Sequence, residues 1–122
     1  MKNLLFIIPF VFFGTAAFSQ TSLFEDEMSV INYMEGKIFY NEELGLQITY
    51  GFLPSGNTNA ITVKNREGGT FHVINVGIDA YGSFADLSGM DLNSGGSFGF
   101  RLFKGRLVVG YGEPGAKTFY LK

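Results

Sequence analysis

Hydrophobic and polar positions along the chain fall into two periods, a short helical one and then a long alternating one. Ser22-Leu23-Phe24-Glu25 is a capping-box pattern, in which an N-cap Ser and a Glu three residues later satisfy each other's amides. Glu25, Asp26 and Glu27 then place negative charge where a helix dipole favours it. Phe24, Met28, Ile31 and either Met34 or Glu35 recur at spacings of four and three, and Gly36 ends the run. The spacing predicts one amphipathic helix over Leu23–Glu35.

From Lys37 the period changes to two. Lys37–Asn41 reads as a short strand and Glu42-Glu43-Leu44-Gly45 as a turn. Leu46, Ile48, Tyr50 and Phe52 alternate with Gln47, Thr49, Gly51 and Leu53, the mark of a half-buried strand. A polar loop over Pro54–Asn59 leads to a strand over Ala60–Lys64, with Ile61 and Val63 inward. The strand over Thr70–Ala80 has no clean face: Phe71 and Val73 share one side, Ile74, Val76 and Ile78 the other. Either a bulge near Asn75 shifts its phase or both faces are covered.

Tyr81–Ser97 reads as the longest irregular segment, rich in Gly, Ser and Asp. Within it Ser83-Phe84-Ala85-Asp86 is a second capping pattern, and Phe84, Leu87 and Met90 recur at threes, so a turn or two of helix ending near Gly89 is expected. Phe98–Tyr111 follows as a β-hairpin closed by Lys104-Gly105, since a two-residue loop ending in Gly supplies the positive φ of a tight turn. That loop sets Leu102 opposite Leu107, Phe100 opposite Val109 and Phe98 opposite Tyr111 on one apolar face. The other face pairs Phe103 with Arg106, Arg101 with Val108 and Gly99 with Gly110. A slip of one residue would bring Arg106 and Gly110 onto the apolar face, so the register is well specified. A last strand over Thr118–Lys122 is expected to continue the apolar face, with Phe119 opposite Tyr111 and Leu121 opposite Val109.

One helix followed by about seven short strands, with no βαβ unit, predicts a mainly β single domain built as an antiparallel meander. An open sheet of that length would expose its edges. Ten glycines between Gly51 and Gly99 suit strong coiling, so the meander is expected to curl into a small barrel or half-barrel with the helix over one end or face. A two-sheet β-sandwich is the alternative. The helix-Gly36-Lys37 entry to the first strand resembles that of lipocalin-like small barrels, although no Trp follows it.

The first residues stand apart from this pattern. Lys2, the apolar run Leu4–Phe13 and the small residues to Ser19 read as a signal peptide over 1–19, with 20–122 as the domain. An exported, periplasmic or extracellular protein is the expectation. The run is too short to span a bilayer, and Pro9 interrupts it, so no stable membrane insertion is expected. Without Lys2 the charge is −3, from eight basic and eleven acidic side chains, and no Lys/Arg run exists, which makes nucleic acid a poor partner.

Candidate chemistry is sparse. With no Cys and a single His, thiol catalysis, thiolate metal sites and multi-histidine zinc sites are excluded, and no cofactor or metal is implied. His72 lies mid-strand and reads as a cross-strand histidine. Asp79, Asp86 and Asp91 share one predicted loop and are the one carboxylate group that would serve a small hydrolase. Asp91-Leu92-Asn93-Ser94-Gly95-Gly96 resembles half a calcium loop, but position twelve is Leu102.

The expected function is therefore that of a non-enzymatic binding or interaction module, its partner a protein, a glycan or a small apolar ligand. Candidate surfaces are the outer residues of the hairpin, Arg101, Phe103 and Arg106, since aromatics and Arg are enriched at interfaces. The alternative is a lipocalin-like carrier holding an apolar ligand inside the barrel under Phe84, Leu87 and Met90. The hydrolase using the Asp79/Asp86/Asp91 loop is the third reading.

Overall fold

The computed structural model describes residues 23–53, 56 and 58–122. The predicted signal peptide, residues 20–22 (Ser22 included), and Pro54, Ser55 and Asn57 of the Pro54–Asn59 loop lie outside them. One helix, α1 (Glu27–Met34), precedes eight strands: β1 (Phe39–Asn41), β2 (Leu46–Phe52), β3 (Asn59–Lys64), β4 (Thr70–Ala80), β5 (Ala85–Asp91), β6 (Ser97–Phe103), β7 (Arg106–Val109) and β8 (Lys117–Leu121). The strands pair antiparallel in sequence order and close into a barrel, β8 returning to β1 through Phe39 opposite Leu121 and Tyr40 opposite Tyr120. Asn41 adds a side-chain bond from Nδ2 to the Thr118 carbonyl, and the Lys122 amide donates to Ile38. Closure leaves the sheet without edges. The expected barrel is thus the observed one, with eight strands where about seven are predicted. Among the described residues no helix is long and apolar enough to cross a membrane.

The helix begins later than its predicted start. Its N-cap is Asp26, whose carboxylate accepts from the Ser29 amide at 2.9 Å while Ser29 Oγ accepts from the Asp26 amide at 3.1 Å. Asp26 with Ser29 thus performs the capping expected of Ser22 with Glu25. Phe24 lies before the helix, in a two-bond bridge to Gly82, and Phe24 and Met34 are buried and Ile31 packs on the core as expected; Met28, however, is 58% exposed, and Val30 takes the buried place. Gly36 ends the helix at φ 77°, a conformation glycine adopts without steric cost.

Strand β4 carries the bulge that its two-faced pattern implies. The register to β5 shifts between Ile74 and Gly77, and Asn75 sits at φ 55°, the one positive value outside glycine among the described residues. Asn tolerates this left-handed region better than most side chains. Before the bulge Phe71 and Val73 face the interior; beyond it Val76, Ile78 and Ala80 do.

Within Tyr81–Ser97, expected to be a long loop with a short helix, Ala85–Asp91 is strand β5. Ala85, Leu87 and Gly89 alternate inward, and Asp86 and Ser88 outward. The small inward residues hide the alternation, and Gly89 is small of necessity. A Cβ there would stand 2.6 Å from the Ile74 carbonyl oxygen and 2.7 Å from Val73 Cγ1, inside the bulge. The hairpin of β6 and β7 has the predicted register from Phe103–Arg106 to Phe100–Val109, but Gly110 at φ 74° ends β7 and turns Tyr111 out to solvent. Strand β8 therefore pairs four residues lower than expected, with Phe119 opposite Leu107 and Lys117 opposite Val109.

The barrel has two unlike ends. At the end holding the start of β1, α1 and Phe24 form a plug. Tyr33 packs edge-on against Phe24, with ring centroids 5.3 Å apart, and its hydroxyl accepts the Gly105 amide at 2.8 Å. Phe24, Val30 and Met34 join Phe39, Leu102 and Leu107 in one buried cluster. The opposite end is ringed by the loops β1–β2, β3–β4, β5–β6 and β7–β8, and carries no such plug among the described residues.

Candidate functional site

That unplugged mouth contains a cavity of about 170 Å³. Its wall is built from inward positions that the alternation of β2, β3, β4, β6, β7 and β8 delivers to the same end: Leu46, Val63, Phe71, Phe98, Val109 and Lys117. Ile48, Phe100 and Phe119, all buried, form its floor and separate it from the plug. Leu44, on the β1–β2 turn, overhangs the rim. No polar atom faces the cavity, and Lys117 is its one charged lining residue. The Phe71 and Phe98 rings stand 5.6 Å apart across one side. Eight-stranded barrels have interiors just wide enough to be filled by side chains or to hold one small ligand; this one is filled at the plug and open at the mouth.

The rim is tied rather than loose. Arg66 Nη2 donates to the Glu42 carbonyl at 2.7 Å, joining the β1–β2 and β3–β4 loops. Its guanidinium packs so closely on Gly45 that a Cβ there would lie 2.6 Å away. Asn41 Oδ1 accepts the Leu44 amide, and Asn65 Oδ1 the Gly69 amide. On the third loop Asp91 accepts the Asn93 amide at 3.0 Å and the Ser94 hydroxyl at 3.0 Å, which hold its carboxyl below the usual carboxylate range. The half calcium loop seen in the sequence is this turn, its one carboxylate occupied by the turn's own donors.

The residues expected to form a site separate into three places. Leu87 is a core residue, 1% exposed, and Met90 lies on the outward phase of β5 opposite Ile74, so Phe84–Met90 forms no lid over the barrel interior. Phe84, Arg101, Phe103 and Arg106 do gather, on the outer wall. Arg101 is gripped by Asp86, Nε to Oδ1 at 2.7 Å and Nη2 to Oδ2 at 3.0 Å, and its guanidinium lies 4.2 Å from the centroids of both Phe84 and Tyr111. Arg106 lies 4.0 Å over Phe103, and Tyr81 stacks on Phe84 at 5.0 Å. Arg101 with Asp86 is the one ion pair among the described residues. Arg101 is spent on its neighbours; Arg106 has no carboxylate partner there.

The three aspartates do not converge. Asp79 and Asp86 face each other across β4 and β5, whereas Asp91 lies at the mouth end of β5, about 16 Å further along the strand. Among the described residues no group of three or more acidic or histidine side chains is placed to hold a metal. His72 is a cross-strand histidine, its Nδ1 2.9 Å from Thr62 Oγ1. The mouth itself went unseen in the sequence because each lining residue reads there as ordinary core. The available signal was Lys117, whose charge falls on an inward phase once β8 is placed opposite β7.

Comparison with protein-family models, curated proteins and solved structures returned no match. Function is therefore argued from the site.

Proposed function

We propose that the protein is a non-enzymatic binding protein that receives an apolar group, the size of a ring or a short chain, in the open mouth of its barrel. The observation that carries this reading is a cavity of about 170 Å³ with no polar atom in its wall, opposite an end packed shut. An enclosed engineered cavity of about 150 Å³ lined by Leu, Ile and Phe takes up benzene, which sets the scale of guest for an apolar space of this size. Water finds no hydrogen-bond partner on such a wall, so a guest that displaces it and buries its own apolar surface there is favoured. The tied rim keeps the site formed before the guest arrives, which lowers the ordering cost of binding.

Mass spectrometry of gently purified protein, together with NMR titration by benzene or toluene, tests the reading. Shifts confined to Phe71, Phe98, Val109 and Phe119, and lost in Val109→Phe, which fills the space, support it. Shifts elsewhere, or binding indifferent to Val109→Phe in a folded variant, sink it.

A second reading, an interaction surface on the outer wall, is favoured by the continuity of Phe84, Arg101, Phe103 and Arg106 with Tyr81 and Tyr111, which are 57% and 51% exposed. Phe103→Ala with Arg106→Ala then weakens capture of a partner while the fold and the mouth stay unchanged; unaltered capture removes this reading.

A further inference from the structure

We infer that the ligand of the mouth is a small amphipathic carboxylate, its ring or short chain within the cavity and its acid group on Lys117. The inference rests on the mouth being the binding site. Lys117 is opposite Val109, on the inward phase of β8 and at its first residue, so the β-sheet itself directs this side chain to the lip. It is the one charged residue among the ten that line the cavity, and no carboxylate among the described residues lies within ion-pair distance of it. Of the other charges of the mouth loops, Arg66 bonds the Glu42 carbonyl and Asp91 is held by its own turn, while Glu42, Glu43, Glu67 and Glu113 stand on these loops outside the cavity lining. A guest with an acid group at one end places its apolar body against Phe71, Phe98, Phe100 and Phe119 and still reaches the ammonium without taking either charge out of water. An aromatic body gains further from those rings, since offset and edge-on ring pairs add to simple burial.

The contribution of such a lip-exposed pair is modest. Exposed ion pairs are worth enough for a preference of roughly two- to fivefold, screened by salt. The test compares 3-phenylpropionate with 3-phenylpropanol by NMR titration of the full domain at low salt, in the wild type and in Lys117→Gln and Lys117→Glu. Lys117 is exposed, so neither substitution burdens the core. The expected result is tighter binding of the acid by about threefold in the wild type, equal binding in Lys117→Gln, and preference for the alcohol in Lys117→Glu. Raising the salt should narrow the wild-type difference. Equal binding of acid and alcohol by the wild type overturns the head-group assignment and leaves the apolar mouth standing. A preference that survives Lys117→Gln overturns it likewise. Binding of neither compound overturns the mouth as a site.

Discussion

At one end of the barrel Phe24, Val30 and Met34 are packed beneath the helix with at most 1% of their surface exposed; at the other, Leu46, Phe71 and Phe98 surround a space that no described residue fills. Both ends draw on the same residue types and on the same inward phase of the strands. What differs is the presence of a plug. The helix brings buried side chains, an edge-on ring pair and the hydroxyl of Tyr33 on the Gly105 amide to one end, where β6 turns into β7. The mouth receives only the loops between paired strands, of which Leu44 is the one residue that lines the cavity. Apolar surface is therefore packed away at the plug and left uncovered at the mouth.

Phe24 offers the strongest way to break that comparison. Phe24→Ala removes a wholly buried ring, and large-to-small changes of this kind cost about 3–5 kcal/mol. Chemical denaturation should show a loss in that range. Phe98→Ala at the half-buried mouth should cost clearly less and abolish uptake of an apolar probe. Equal stability losses at the two positions would mean that the mouth is as much a structural core as the plug.

Gly89 tests the division between the ends. The bulge beside it lets β4 offer Phe71 and Val73 towards the mouth and Val76, Ile78 and Ala80 towards the plug. Gly89→Ala drives a methyl against the Ile74 carbonyl, a backbone atom that cannot turn aside. Overpacking of this order costs about 1–3 kcal/mol. Gly99→Ala serves as the control, since nothing lies within 4 Å of its Cβ position. A destabilisation no larger than that of the control would show that the wall yields freely at the bulge.

Much of this architecture is legible in the residues, and the exceptions share a cause. The hairpin of β6 and β7 could be registered by hand because large apolar residues mark one face throughout. Strand β5 could not, because Ala85 and Gly89 hold inward positions that the plug and the bulge keep small. The helix start is ambiguous in the sequence because Ser22–Glu25 and Asp26–Ser29 both satisfy a capping pattern, and only the bridge of Phe24 to Gly82 decides between them. The mouth was invisible because a cavity is a property of depth: alternation says which way Val63 and Phe71 point, not whether anything meets them. Arg101, Phe103 and Arg106 were placed outside correctly by phase alone.

Alkaline pH should act on the plug through Tyr50. Tyr50 is buried beside Glu35, and burial raises its hydroxyl above the ordinary value of 10.0; Asn59 opposes the shift, and Glu27 and Glu35 add to it. A raised folded-state value means that the native protein holds this proton more tightly than the unfolded chain. The contribution is complete below pH 10 and is lost as the pH climbs through the folded value. Stability measured by denaturant should thus be insensitive to this group at neutral pH and decline above pH 10. Tyr50→Phe should flatten that decline, and an unchanged alkaline slope would place its origin elsewhere.

The smallest effect is expected on the outer wall, which belongs to neither end. Arg101 and Asp86 are partly exposed, 26% and 36% by side chain, so solvent screens much of their attraction. Arg101→Ala also strips a cation from between the rings of Phe84 and Tyr111, contacts that are themselves weak at the surface. The melting temperature should fall by only a few degrees, on the order seen for half-exposed pairs. Probe affinity at the mouth should not change, because Phe100 and Leu102, the neighbours of Arg101 along β6, face inward and keep their partners in β7. A large loss of probe affinity in this variant would show that the wall transmits strain to the cavity. The mouth would then be a site shaped by the whole circumference of the barrel and not by its own rim.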